Sequence, residues 1–178
     1  FSTGLPVDAD NRSESDYLYS GISITHLIND ALDHSLSYYR TDSNNKTKPN
    51  GDEQEGLRQQ LRYQFNLSGD LQRLSIRAES ENEDFKQRGT ASFFGDPNQN
   101  RDTETTSVAA EYRLDLDNLH LSLSGRHENN SDFDDSSSWR ATANYQFPSL
   151  TLFASFGQSV KNPTFTERFG FFTNFIGN

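Results

Sequence analysis

The chain contains no cysteine among its 178 residues, which removes disulfide frameworks and thiolate chemistry together. It is also short of hydrophobic residues: they make up 31%, mean hydropathy is −0.87, and no run approaches the roughly 20 apolar residues of a membrane-spanning helix. Basic residues are outnumbered, with Lys and Arg at 16 against 26 Asp and Glu, for a formal net charge of −10. That balance argues against a nucleic-acid partner, which selects clustered Lys and Arg. The four histidines, His26, His34, His120 and His127, lack metal-ligand spacing, and no Gly-x-Ser-x-Gly elbow places a serine beside a base. His127 with Glu128 is an adjacent acid–base pair, too thin a signal for an active site. No catalytic constellation emerges, so the chain reads as a non-enzyme without a cofactor or a metal.

What is present is two-residue alternation. From Leu57 to Leu67, the residues Leu57, Leu61, Tyr63, Phe65 and Leu67 share one side, against Arg58, Gln60, Arg62, Gln64 and Asn66. That period belongs to a strand. A turn at Gly69-Asp70, of type II′ with Gly first and with a residue of slack allowed, would set Leu67 against Leu71, Phe65 against Leu74 and Tyr63 against Ile76. A second hairpin at Asp117-Asn118 sets Leu116 against Leu119, Leu114 against Leu121 and Tyr112 against Leu123. A third at Pro148-Ser149 sets Phe147 against Leu150, Tyr145 against Leu152, Ala143 against Ala154 and Ala141 against Phe156. A one-residue slip would throw each apolar set to the wrong face. The expected fold is all-β, an antiparallel up-and-down meander of about eight long strands.

Strands are expected near 17–28, 35–42, 57–67, 71–83, 105–116, 119–128, 138–147 and 150–161. Short turns at 29–34, 69–70, 117–118 and 148–149 alternate with long polar loops at 43–56, 84–104 and 129–137. Strands of about 10–12 residues exceed the usual length in soluble sheets and suit a tilted bilayer crossing. Short turns on one rim and long loops on the other are the pattern of a transmembrane barrel. Tyr63, Phe65, Tyr112, Tyr145 and Phe147 lie near the short turns, with Trp139 and Phe156 toward the other rim, as aromatic girdles do. On the polar face Arg58 is expected near Glu81, and Arg62 within diagonal reach of Glu79. A soluble sandwich meeting a second sheet shares the alternation. The chain opens at Phe1 without an initiator Met and stops after an aromatic-rich segment, so residues 1–178 are expected to be a partial barrel.

The run Phe153-Ala154-Ser155-Phe156-Gly157, followed by Lys161-Asn162-Pro163 and then Phe175-Ile176-Gly177-Asn178, resembles a signature strand and loop of TonB-dependent outer-membrane receptors. Gly125 to Phe133, with Trp139-Arg140 and Asp8 to Arg12, resembles the vitamin B12 (cobalamin) receptor branch. The resemblance implies a barrel of about 22 strands around an N-terminal plug, in the outer membrane of a Gram-negative bacterium. It implies outer-membrane lipid, cobalamin or a ferric siderophore, and the TonB complex as partners. The plug, the short N-terminal TonB box and the remaining strands are not recognisable in this chain. An isolated fragment is expected to close into a small barrel or to self-associate through its two strand edges.

Within the motif, Pro163 removes a ladder donor and biases Asn162 away from helix, so Lys161, Asn162, Pro163, Gly177 and Asn178 read as structural, at a strand terminus on the outer rim. Two loop clusters are ligand-binding candidates: Arg88, Phe93, Phe94 and Arg101, and the aromatics Phe169, Phe171 and Phe172. Asp132, Asp134 and Asp135 lack the spacing of a calcium loop and read as a solvated outer loop. A passive porin, a barrel enzyme and a soluble β-sheet binding domain are the competing classes.

Overall fold

The computed structural model describes residues 12–48, 51–91, 93 and 96–169. Eight strands, β1 (Arg12–Asn29), β2 (Leu32–Lys48), β3 (Asp52–Ser68), β4 (Gln72–Arg88), β5 (Gln99–Leu116), β6 (Leu119–Asn130), β7 (Ser136–Gln146) and β8 (Thr151–Gln158), form one antiparallel sheet in chain order. A short helix, α1 (Phe165–Phe169), follows. Among the described residues, β1 and β8 pair with no further strand, so the sheet is open rather than closed into a small barrel. Among the described residues no helix is long and apolar enough to cross a membrane, which says nothing of a β-barrel.

Two of the three hairpin registers expected from the sequence are those observed. Leu114 lies opposite Leu121 and Tyr112 opposite Leu123. Asp117 turns there with φ of 42°, the left-handed conformation that a two-residue hairpin of matching twist requires. Tyr145 lies opposite Leu152 and Ala141 opposite Phe156. The Gly69-Asp70 hairpin differs: Leu67 faces Leu74, Phe65 faces Ile76 and Tyr63 faces Ala78. The loop is longer than two residues, closed where the Gly69 N–H donates to the Gln72 carbonyl at 2.7 Å. Leu71 is drawn off instead to β5, its carbonyl accepting from the Asp115 N–H at 2.8 Å. For Phe65 and Tyr63 the displacement is two residues, so the side chains of the two strands keep their faces; only Leu71 loses its expected place opposite Leu67.

The strands are also longer than the alternation indicated. β1 to β5 each run 17 or 18 residues, and most of the expected loop at 43–56 is a continuation of β2 and β3 up to a turn at Gly51, whose φ is 72°. The expected loop at 84–104 narrows to 89–98, and the one at 129–137 to 131–135. Apart from Phe85 on β4, these extensions are polar on both faces. Cross-strand polar contacts hold them: Lys46 with Glu53 at 2.8 Å, the Asn44 amide donating to Glu53 at 3.0 Å, and Lys48 with Glu14 at 2.9 Å. A ladder standing in water on both sides needs no alternation, so periodicity marks only where the apolar band ends.

That band is slanted across the sheet. The ladder carries Ile22 to Tyr38, Leu61, Ser80, Thr106 and finally Asn129. On β6, however, the outward apolar residues are Leu119, Leu121 and Leu123, roughly eight positions lower. At about 3.3 Å per residue and 4.8 Å per strand, the band drops about 26 Å over about 24 Å, so strands crossing a flat bilayer would tilt by roughly 45°. Tilt near this value belongs to closed barrels.

Burial in this sheet is inverted relative to a water-soluble domain. The buried residues are Ser37, Glu79, Phe85, Gln87, Thr103 and Ser107, and all of them lie on the polar face. The large apolar side chains of the opposite face are open, with Ile22 at 64% exposure and Phe156 at 74%. Both aromatic groups read from the sequence are on this outer face. Tyr145 and Phe147 touch near a short turn (ring centroids 4.5 Å apart), and Trp139 touches Phe156 farther up at 5.5 Å.

Candidate functional site

Small and charged side chains on alternate positions leave the polar face of β3 to β8 lined with troughs. One, of about 910 Å³, runs toward the short turns between Arg73, Arg77, Arg113, Arg126 and Arg140. A second, of about 440 Å³, lies toward the long loops. Between them sits Glu79, held by Arg62 and Arg126 at 2.7 Å each and Arg77 at 3.5 Å. Arg126 extends the network to Glu128 at 2.9 Å, and Arg62 lies over the Tyr39 ring at 5.3 Å. Arg58 meets Glu81 at 2.6 Å and Glu83 at 3.4 Å. Both ion pairs expected from the sequence therefore form, Arg62 with Glu79 directly across the ladder rather than diagonally.

The second trough is roofed by the chain that follows β8. After Gln158 the backbone leaves the sheet and residues 162–168 lie along the trough wall. The Asn162 amide reaches Glu128 at 3.4 Å, Phe165 stacks on Phe85 (centroids 5.4 Å apart, planes 4° apart), and Arg168 bonds Asp132 at 2.6 Å while lying over the Phe133 ring at 4.6 Å. Lys161, Asn162 and Pro163 thus stand beyond the strand end, and Asn162 faces the polar side. The reason for Gly157 in the motif is local. A Cβ there would sit 2.5 Å from the Trp139 carbonyl oxygen, so only glycine lets β8 approach β7 at this level.

α1 begins with a capping box absent from the sequence reading. The Thr164 N–H donates to Glu167 Oε2 at 2.7 Å, and the Glu167 N–H donates to Thr164 Oγ1 at 3.2 Å. Thr-x-x-Glu at 164–167 was the available signal, masked there by the aromatic residues around it. The Thr164 backbone N–H, then its hydroxyl and Lys161 at 3.2 Å, pull the Glu167 carboxyl down to about 2. A carboxyl lowered on folding adds stability that is complete above its ordinary value near 4.5 and lost as pH falls through about 2. Carbon-13 NMR of the Glu167 carboxyl is therefore expected to titrate near 2, with the cap intact at pH 5. A midpoint above 4 would mean that the box does not form. Asp132 is likewise lowered, first by its bond from Arg168 and then by that from Thr103.

The two loop clusters proposed as ligand sites converge only in part. Arg88 ties the root of the 89–98 loop, donating to the Gln87 and Gln99 carbonyls at 2.8 and 3.0 Å and to Asn100 at 2.8 Å. Arg101 stands on the polar face, opposite Phe85. Because Phe165 stacks on Phe85, α1 and its Phe169 come to the same end of the sheet as Arg101. Phe93 is at the loop tip, 100% exposed. Phe94, Phe171, Phe172, Gly177 and Asn178, and the side chain of Phe169, lie outside the described residues. Asp135 takes the Asn129 amide at 2.5 Å and lies 3.8 Å from His127.

An inverted sheet of slanted, over-long strands with a charged inner wall has the wall architecture of a membrane barrel. The family model described as TonB dependent receptor-like, beta-barrel matches residues 2–178. The chain belongs to this receptor family. No curated protein matches it. TonB-dependent receptors are transporters of the outer membrane, so the outward leucines meet lipid and the ion-paired face lines the lumen. In that frame the short turns and the 89–98 and 131–135 loops occupy opposite rims, and the roof over the second trough is a loop folded into the lumen mouth.

Proposed function

We propose that this chain is a barrel segment of an active receptor for cobalamin or a ferric siderophore in a Gram-negative outer membrane. The observation that carries the reading is the inverted burial: polar side chains are packed away while Ile22, Leu123 and Phe156 stand open. A soluble β-sheet domain places those residues the other way round. The unpaired edges of β1 and β8 fit a barrel completed by further strands, and a plug domain with its TonB box belongs to the same complete receptor. Cobalamin is favoured by the likeness of Gly125 to Phe133 and Trp139-Arg140 to that branch. The mouth formed by α1, Phe85, Arg101 and the 89–98 loop is where the ligand first meets the barrel.

The test is uptake of radiolabelled cyanocobalamin, with a ferric siderophore in parallel, by cells that carry the full-length receptor as their sole route. Saturable uptake that stops when the proton-motive force is dissipated is expected for one of the two. Uptake that persists without that force would make the protein a passive pore. Force-dependent uptake of neither compound would remove the cargo assignment while leaving the barrel intact.

A further inference from the structure

The outer face near the short-turn rim carries a cluster of two histidines and a tyrosine away from the lumen wall. His26 on β1 and His34 on β2 are direct cross-strand partners, and side chains so placed converge, with Cβ atoms about 4.5–5.5 Å apart. Their rings meet edge to face (centroids 5.2 Å apart, planes at 78°), with His26 Nδ1 3.0 Å from His34 Nε2. The Tyr63 hydroxyl reaches diagonally from β3 to His34 Nδ1 at 3.1 Å. On this face the neighbouring positions, Ile24, Leu36 and Phe65, are apolar.

We propose that His26 and His34 form a two-imidazole clamp for a divalent transition-metal ion, with Tyr63 as its positioning residue. The geometry fits without rebuilding the strands. An ion about 2.0–2.1 Å from each nitrogen requires the two nitrogens to lie roughly 2.9–3.4 Å apart, for angles between square and tetrahedral. The 3.0 Å separation is inside that window. Tyr63 supplies the outer partner that ligating histidines use to fix their tautomer. The tautomer that puts the His34 proton on Nδ1 satisfies the tyrosine oxygen and leaves Nε2 as a lone pair aimed at His26. When the ion enters, the proton on His26 Nδ1 is released and Nε2 is protonated from solvent, so both imidazoles stay neutral and no net charge moves. His26 is exposed and His34 half-buried, and both lie within three residues of the turn between Asn29 and Leu32, so water at the rim can complete the coordination sphere.

The other histidines do not offer this arrangement. His120 bonds Asp115 at 2.6 Å on the lumen face, and His127 bonds Ser137 at 3.0 Å. No group of three or more His, Cys, Asp or Glu suited to a metal occurs among the described residues, so the site is a surface clamp with water ligands and not a closed structural centre. Imidazole pairs of this kind favour copper(II) over the other first-row divalent ions. Bound there, the ion would staple β1 to β2 at the rim.

The experiment is copper(II) titration of the full-length receptor in detergent micelles, followed by calorimetry and electron paramagnetic resonance, with circular dichroism confirming the barrel. One site whose spectrum carries two nitrogen ligands is expected. His26→Gln and His34→Gln should each remove the two-nitrogen signature and weaken binding more than tenfold. Tyr63→Phe should keep the signature and weaken binding about tenfold, as loss of an orienting partner does. His120→Gln should change neither. An unchanged signature in His26→Gln and His34→Gln, or no copper site in the folded receptor, would overturn the proposal; if one histidine variant misfolds, the other and Tyr63→Phe decide it.

Discussion

Leu121→Arg is expected to destabilise the barrel in lipid by about 1–2 kcal/mol, between the ~2–4 kcal/mol of an arginine on the lipid face at the bilayer midplane and the ~0–1 kcal/mol of one near the interface. Leu121 stands between Leu114 and Ala143 on the outer face, in the lower middle of the apolar band. A guanidinium there has to snorkel or draw water into hydrocarbon. Ser122→Arg, one residue along, points into a solvated lumen where its cross-strand neighbours are Arg113 and Thr142, and should cost under 1 kcal/mol. Urea titration of the receptor refolded into vesicles measures both. The contrast between adjacent positions is the informative quantity, because both introduce the same guanidinium at nearly the same height on opposite faces. Equal costs would mean that the leucine face is not in lipid.

Glu79→Ala should cost about 3 kcal/mol, the largest effect expected from a single change on the lumen wall. The Glu79 side chain is nearly fully covered, and three arginines converge on it, two at 2.7 Å and one at 3.5 Å. Removing the carboxylate strands those guanidiniums beside one another on β3, β4 and β6. One of them, Arg77, already has a buried Nε without a hydrogen bond. The arginines are themselves about a third exposed, which brings the figure to the low end of the range for a broken buried pair. Glu79→Gln, which keeps the acceptor oxygen, should lose less, and Arg126→Gln less again because Arg62 still neutralises the acid. The same urea titration reads this series. A Glu79→Ala protein as stable as the parent would show that the network is a loose surface array.

The strands were legible in the sequence wherever one side met lipid and the other water. Leu114 against Leu121 and Tyr145 against Leu152 follow from alternation plus a two-residue turn, because a one-residue slip exposes charge to hydrocarbon and the turn fixes the rest. Legibility stopped where both sides are wet. Ser43 to Lys48 and Asp52 to Gly56 read as loop because nothing in their composition separates a polar ladder from a polar coil, yet Lys46–Glu53 and Lys48–Glu14 hold them extended. The Gly69 hairpin failed for a different reason. Turn chemistry favours glycine first in a two-residue loop, but β5 captures Leu71, and that tertiary bond outweighs the local preference.

The lumen mouth was half legible. Arg88, Phe93 and Arg101 lie at the rim that the loop pattern indicates, but the pairing of Phe165 with Phe85 joins residues 80 positions apart and has no local signature. Phe85 itself looked like a loop residue, since it falls on the polar side of its strand. Its burial, at 8% exposure, depends on α1 folding inward. The Thr164–Glu167 box was readable in principle, because Ser/Thr-x-x-Glu is a helix-start pattern whatever surrounds it.

The most direct test of the account is the accessibility of nitroxide labels at Leu114 and Arg113 in the receptor reconstituted in vesicles. These neighbours sit on opposite faces of β5. The account predicts that the Leu114 label collides with membrane-dissolved oxygen and is shielded from a water-soluble nickel chelate, while the Arg113 label shows the reverse. A Leu114 label quenched by the aqueous chelate, beside an Arg113 label that is dry, would contradict it.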